Sequence, residues 1–139
     1  MASAEFPVPE DLGHREWGTE TLLLLAPGKY TLKRIEMKRG AKGGLQYHRM
    51  KDEGGVMISG EMKVYFDCGG SLGYTVLGPG DAFHFPAGAV HQAEALTECV
   101  YIEASTPYFN DRVHVEDQYG IEKEAGGLKS TEMSEIELR

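Results

Sequence analysis

Residues 39–60 read RGAKGGLQYHRMKDEGGVMISG, and this stretch decides the fold. Gln46 and His48 stand two apart, so on an extended strand their side chains leave the same face and can share one ion. Glu53 follows the polar pair Lys51-Asp52, which suits a turn. From there Glu53, Gly55 and Met57 can face back toward the first strand, and Gly60 closes the hairpin. A second block, GPGDAFHFPAGAVH at residues 78–91, has turns at Gly78-Pro79-Gly80-Asp81 and Pro86-Ala87-Gly88 with a short strand between them, and ends on His91 at the start of another strand. The two blocks read as neighbouring strands. Gln46, His48, Glu53 and His91 together offer two nitrogens and two oxygens, a four-ligand set for one divalent metal ion. Without a thiolate the set suits Zn, Mn, Fe, Co or Ni and does not choose among them.

Outward from these blocks the periodicity is β almost throughout. In MKVYFD, Met62, Val64 and Phe66 alternate with Lys63, Tyr65 and Asp67, the pattern of a strand with one buried face. ECVYIEAS sets Val100, Ile102 and Ala104 against Tyr101, Glu103 and Ser105, and Glu103 projects into the barrel if its face is the ligand-facing one. In YTLKRIEM, Lys33 shares a face with Thr31, Ile35 and Met37, an unusual place for a lysine unless its stem lies along apolar surface. Turn clusters at Cys68-Gly69-Gly70-Ser71 and in the second block are spaced as in a sandwich or barrel of short strands. His84, in FHF, reads as a structural strand residue.

The chain has 139 residues, a single-domain length with room for a sizeable core. Fourteen Lys plus Arg against 22 Asp plus Glu leave a net charge of −8, which speaks against general attraction to nucleic acid or anionic lipid. TLLLLAP at residues 21–27 is cut short by Pro27 and Gly28, far below a membrane span, and MASAEFPVPEDL lacks a basic region followed by an apolar one. A cytoplasmic location is the default. Cys68 and Cys99, far apart in sequence, read as reduced thiols that fill space. From Ile121 to Arg139 the alternation stops, which marks a tail with a short helix or a mobile segment outside the core.

The spacing from Gly40 through Gln46, His48 and Glu53 to Gly60, and from Gly80 through Pro86 and Gly88 to His91, resembles both motifs of the cupins. That resemblance implies an all-β fold, the cupin double-stranded β-helix or jelly-roll barrel, over residues 14–120, with an N-terminal arm at 1–13 and a C-terminal tail at 121–139. Most cupins carry His where this chain has Gln46. A Gln there is similar to the sugar-isomerase cupins that form the C-terminal part of type II mannose-6-phosphate isomerases. HREWG at 14–18, YTLKRIEM with Lys33, LQYH and STPYFNDRVHVEDQYG add to the match. The chain departs from that branch at Glu16, where it has Pro, at His114, Gln118 and Ile121, where it usually has arginines, and at Ala95, often Asn. No nucleotidyltransferase domain precedes the barrel in this sequence, so no nucleotidyl transfer is expected.

The resemblance implies a metal-dependent isomerase of a sugar or sugar phosphate, with an aldose-ketose or epimerase reaction through an enediolate. The ion polarises a carbonyl, and a base drawn from Lys33, Glu103 or His114 moves the proton. Arg15, Lys33, Arg49 and Arg112 are available to an anionic group, and the family match sets the block of Arg15 and Trp17 near the mouth of the pocket, although Trp17 alone reads as edge packing. Glu116, Asp117 and Tyr119 join His114 in a polar cluster. Two other classes compete: a metal-dependent oxygenase, which Gln46 in place of the first His disfavours, and a noncatalytic sugar-binding cupin. The partner expected is a small-molecule carbohydrate, and cupins commonly pair through barrel edges, which implies a homodimer.

Overall fold

The computed structural model describes residues 1–122 and 129–139. Thirteen strands run through the described residues: β1 (Glu10–Arg15), β2 (Gly18–Ala26), β3 (Tyr30–Met37), β4 (Gln46–His48), β5 (Glu53–Ser59), β6 (Met62–Cys68), β7 (Ser71–Leu77), β8 (Ala82–Phe85), β9 (His91–Ala95), β10 (Cys99–Ser105), β11 (Tyr108–Phe109), β12 (Arg112–His114) and β13 (Glu137–Leu138). Helix is confined to two 3-10 turns, Glu116–Tyr119 and Met133–Glu135, as expected where Gly, Pro and Asp interrupt the chain every few residues. No helix of the described residues is long and apolar enough to cross a membrane.

One sheet orders its six strands β1-β2-β3-β10-β5-β8 and the other its five strands β12-β4-β9-β6-β7. Together they make the all-β, double-stranded β-helix that the resemblance implies, built from the short strands that the turn spacing predicts. The chain passes between the sheets as it goes: β4 lies in the five-stranded sheet, β5 in the six-stranded one, and β6 back in the first. The hairpin expected around Glu53–Gly60 is therefore corrected. Strand β5 pairs with β10 and β8 instead of β4, and Gly60 carries the chain from one sheet to the other. Its φ is 76° and an added Cβ would lie 2.1 Å from the Glu98 carbonyl oxygen, so the corner requires glycine.

The inward faces change character along the barrel. In register across the six-stranded sheet, Cys99 meets Met37, and Tyr101 meets Ile35 and Met57; one step on, Glu103 meets Lys33 and Gly55, and Ser105 meets Thr31 and Glu53. The apolar end joins Met62, Val64 and Ala95 of the other sheet in the core, where each buried Ile, Val or Met is worth about 1.5–3 kcal/mol. The polar end receives the residues of the first sequence block. On β10 it is the Cys99, Tyr101, Glu103 and Ser105 face that turns inward, while Ala104 on the other face is exposed. Thr31, Ile35 and Met37 are buried as read, with Lys33 among them.

The segment 121–139 returns to the barrel surface at both ends of its described part, whereas residues 123–128 lie outside the described residues. His114 N–H donates to Ser130 Oγ, Thr131 N–H donates to the Arg112 carbonyl, and β13 pairs with β11. The short helix expected there is the 3-10 turn Met133–Glu135. At the other end β1 begins at Glu10, inside the segment read as an arm. Both cysteines are free, Cys68 exposed and Cys99 buried.

Candidate metal centre

His48 ends β4, Glu53 begins β5 and His91 begins β9, so three strand termini from two sheets bring the three side chains together at the polar end of the barrel. All three are buried, and one ligand atom from each lies within 4.8 Å of the others. Glu53 Oε1 is 3.1 Å from His91 Nε2 and 3.4 Å from His48 Nε2. Two donors bound at about 2.1 Å to one ion stand roughly 3.0–3.4 Å apart for angles between square and tetrahedral. The spacing fits a shared ion.

Proton placement supports the same fit. His91 Nδ1 lies 2.9 Å from the Ala89 carbonyl oxygen, which only accepts, so Nδ1 donates there. His48 Nδ1 lies 2.8 Å from Asp111 Oδ1, and the other Asp111 oxygen accepts the N–H groups of Met50 and Lys51, so this Nδ1 donates as well. With Nδ1 so engaged, each Nε2 faces the Glu53 carboxylate, and either an Nε2 proton or a shared cation can join the ring to it. In the protonated form burial pushes Glu53 up, but hydrogen bonding from His48 and His91 and the charge of Lys51 outweigh it, and the carboxyl stays well below the usual carboxylate range.

The surrounding chain fixes these rings. Asp111 is buried and follows Asn110, whose φ of 58° sets the turn that brings it in. Although burial raises Asp111, the Lys51 N–H, the His48 ring and the Met50 N–H together lower its pKa. Phe85 stacks on His91 with ring centroids 4.1 Å apart and planes 8° apart, and the Gly88 N–H holds the 86–88 turn to the His48 carbonyl at 2.8 Å. A cavity of about 470 Å³ opens beyond Phe85, between β6, β7 and β8; the three ligand residues do not line it.

Gln46 lies in register with His91 on one side and with His114 on the other, so the three occupy one row of the five-stranded sheet. The expectation that the two sequence blocks neighbour each other holds at this β4–β9 contact. His114 is buried, 3.5 Å from Glu116 Oε1, and both pack where a side chain on Gly44 would stand. Glu116, buried in its 3-10 turn, accepts the Leu45 N–H, so this half of the polar cluster is internal, whereas Asp117 is exposed.

On the opposite sheet Glu103 stands deep among protein atoms with partial solvent contact, near enough to Glu53 for the two carboxyls to influence each other. Burial and the Glu53 charge push its carboxyl up to about 8, against the pull of Lys51 and Lys33. Burial raises the Tyr101 hydroxyl well above its ordinary value, with Glu103 and Glu53 adding to the shift. Lys33 donates to Glu20 Oε1 at 2.8 Å, with side-chain exposures of 13% and 17%. Lys51, 12% exposed, lies 3.6 Å from the second oxygen of Glu53.

Other candidates lie elsewhere. Trp17 packs against the apolar core around Met37, at the far end of β10 from the cluster. Arg15 is half exposed and 3.8 Å from Glu20 Oε2; Arg49 donates to the Thr131 carbonyl in the tail; Arg112 is exposed. Trp17, Arg15 and Arg49 have their contacts away from the metal cluster, whereas Arg112 is in register with His48 on the neighbouring strand. His84 is an exposed strand residue bonded to Asp52. Three participants have no local signal: Asp111 in a loop, Lys51 in a turn pair, and Glu20 ahead of a leucine run that is apolar on both faces. Glu20 is legible only through its register with Ile35.

A family profile described as Cupin domain matches residues 33–105. No curated protein matches the chain. Solved structures of similar fold include the capsular polysaccharide assembling protein CapF from Staphylococcus aureus, at 18% identity and TM-score 0.68, covering 78% of this chain and 32% of that one. KdgF from Halomonas sp. is similar at 23% identity and TM-score 0.62, covering 70% and 87%. An RmlC-like cupin from Shewanella frigidimarina is similar at 24% identity and TM-score 0.62, covering 76% and 92%. The chain spans about a third of CapF, and at these identities the likeness is one of fold.

Proposed function

The chain belongs to the cupin family, and we propose that this barrel is a metal-dependent isomerase of a hydroxycarbonyl compound, a sugar or sugar derivative, working through an enediolate. One observation carries the reading: His48, His91 and Glu53 converge three ligand atoms on one point, with both Nδ1 atoms bonded elsewhere. His48, His91 and Glu53 would hold the ion, with the Gln46 amide oxygen as the fourth group. A bound divalent cation supplies Lewis-acid polarisation of the substrate carbonyl and stabilises negative charge on the enediolate oxygens.

We assign proton transfer to Glu103 ahead of Lys33 and His114. Glu103 adjoins Glu53, whereas Lys33 is held by Glu20, and His114 lies beyond Gln46 in the row. Glu103 takes the proton from the carbon beside the carbonyl and returns it to the former carbonyl carbon; the hydroxyl proton passes to the former carbonyl oxygen. No external oxidant or reductant is consumed. Lys33, hydrogen bonded to Glu20, would hold a substrate oxygen. A cytoplasmic homodimer acting on a small molecule completes the proposal.

The test is incubation in deuterated water with a panel of sugars, sugar phosphates and sugar acids, following exchange at the carbon beside the carbonyl by NMR. Exchange that disappears on chelation and returns with a divalent ion supports the isomerase. Oxygen consumption with iron points instead to an oxygenase, and tight binding without exchange to a sugar-binding module. Full exchange activity in a metal-free His48→Ala protein sinks the mechanism.

A further inference from the structure

The barrel interior holds two lysines, and they are not in the same state. Lys33 is neutralised by a 2.8 Å hydrogen-bonded pair with Glu20. Lys51 has no such partner: its only ion-pair contact among the described residues is Glu53 Oε2 at 3.6 Å, beyond hydrogen-bonding distance, on a side chain that is 12% exposed. A nearly buried ammonium seeks an acceptor, because its hydrogen-bonding capacity is otherwise met only by sparse solvent. Its ion-pair contact is the same Glu53 whose other oxygen faces both imidazoles, and its charge also acts on Glu103.

Position and charge define which anion Lys51 can take. Lys51 lies on the Oε2 side of Glu53 and the two imidazoles on its Oε1 side, so an anion held by Lys51 adjoins the same carboxylate as the candidate metal ligands. Lys51 carries one positive charge, engaged only by the 3.6 Å approach to Glu53 among its ion-pair contacts in the described residues, and so suits a monoanion. Among the described residues no arginine forms an ion pair with Glu53, as a phosphate dianion would favour: Arg15 is half exposed near Glu20, Arg49 is tied to Thr131, and Arg112, in register with His48, is exposed.

Resting on the metal-dependent reading above, we infer that the substrate is a sugar acid or similar hydroxy acid whose carboxylate is bound by Lys51 beside the metal centre. Lys51 is then the residue that selects a carboxylate over a neutral sugar, and Lys33 with Glu20 faces the uncharged part of the ligand.

The experiment loads the full chain with Zn²⁺, measures metal stoichiometry, and titrates the holoprotein calorimetrically with glycerate, with glycerol as its neutral counterpart, and with inorganic phosphate. Glycerate should bind most tightly. Lys51→Met should weaken glycerate binding by about ten-fold or more, the scale of a lost charge-assisted hydrogen bond, with glycerol binding and metal content unchanged. Lys51→Arg, which keeps the charge, should stay within about three-fold of the parent and serves as the control should Lys51→Met fail to fold. Glycerate affinity that does not depend on Lys51 while metal stays bound overturns this inference alone. Phosphate binding tighter than glycerate through Lys51 overturns the carboxylate assignment. A parent protein that takes up no metal overturns the metal-dependent reading and this inference with it.

Discussion

The Nδ1–H of His48 donates to Asp111 Oδ1 across 2.8 Å, joining residues 63 positions apart in the chain inside one buried pair. The bond fixes which ring nitrogen is free, and Asp111 is in turn fixed by two backbone N–H groups from the corner between β4 and β5. The same carboxylate therefore orients a ligand and shapes the turn that leads to the next one.

Asp111→Ala should lower metal affinity by about 10–100-fold, the usual effect of removing a group that orients a ligating imidazole. Leaving the Met50 and Lys51 N–H groups without their acceptor should also cost about 1–3 kcal/mol of stability. A competition titration against a chromophoric chelator and a urea unfolding curve measure the two effects separately. Wild-type metal affinity in a folded variant would contradict the role given to Asp111.

His48→Ala and His91→Ala should each abolish stoichiometric metal binding while the far-ultraviolet circular dichroism stays that of a β-barrel, since the apolar core lies at the other end of the strands. Conversely, divalent metal at about 100 times its Kd should stabilise the parent by about 2.7 kcal/mol, and chelation should reverse this. Elemental analysis and thermal melts with and without chelator provide the check.

In metal-free protein the Glu103 carboxyl, raised from 4.5 to about 8, binds its proton more tightly folded than unfolded. Its contribution to stability is thus full below about pH 4.5 and is lost as pH rises toward 8. Glu103→Gln cannot ionise, so its chelator-treated form should lose less stability than the parent between pH 5 and about 8. Parallel stability–pH curves for the two proteins would show that Glu103 is not held protonated.

Gly55→Ala should destabilise the fold by about 1–3 kcal/mol, a typical overpacking cost. The added Cβ would stand 2.4 Å from the Ile102 carbonyl oxygen and 2.5 Å from the Phe83 ring, and the backbone contact cannot rotate away. Chemical denaturation decides it. An unchanged midpoint would mean that β5 and β8 can separate there without loss.

By itself the sequence determined the alternation that makes β3, β6 and β10 strands and the turns between them, which are local because a strand has a period of two and a turn needs particular residues. It also offered Gln46, His48, Glu53 and His91 as candidate ligands, and the closure of the two sheets brings His48, Glu53 and His91 together. Alternation divides a strand into two faces without saying which is interior; on β10 the choice fell to Cys99, Tyr101, Glu103 and Ser105 through pairing with β3 and β5. Tertiary structure also decided that Gly60 is a corner between sheets, that Asp111 holds His48, that Glu20 neutralises Lys33, and that Lys51 lies against Glu53. Most of these contacts join residues distant in sequence, and in all of them the partner is set by the closure of two sheets around one interior, so no local pattern of residue types encodes it.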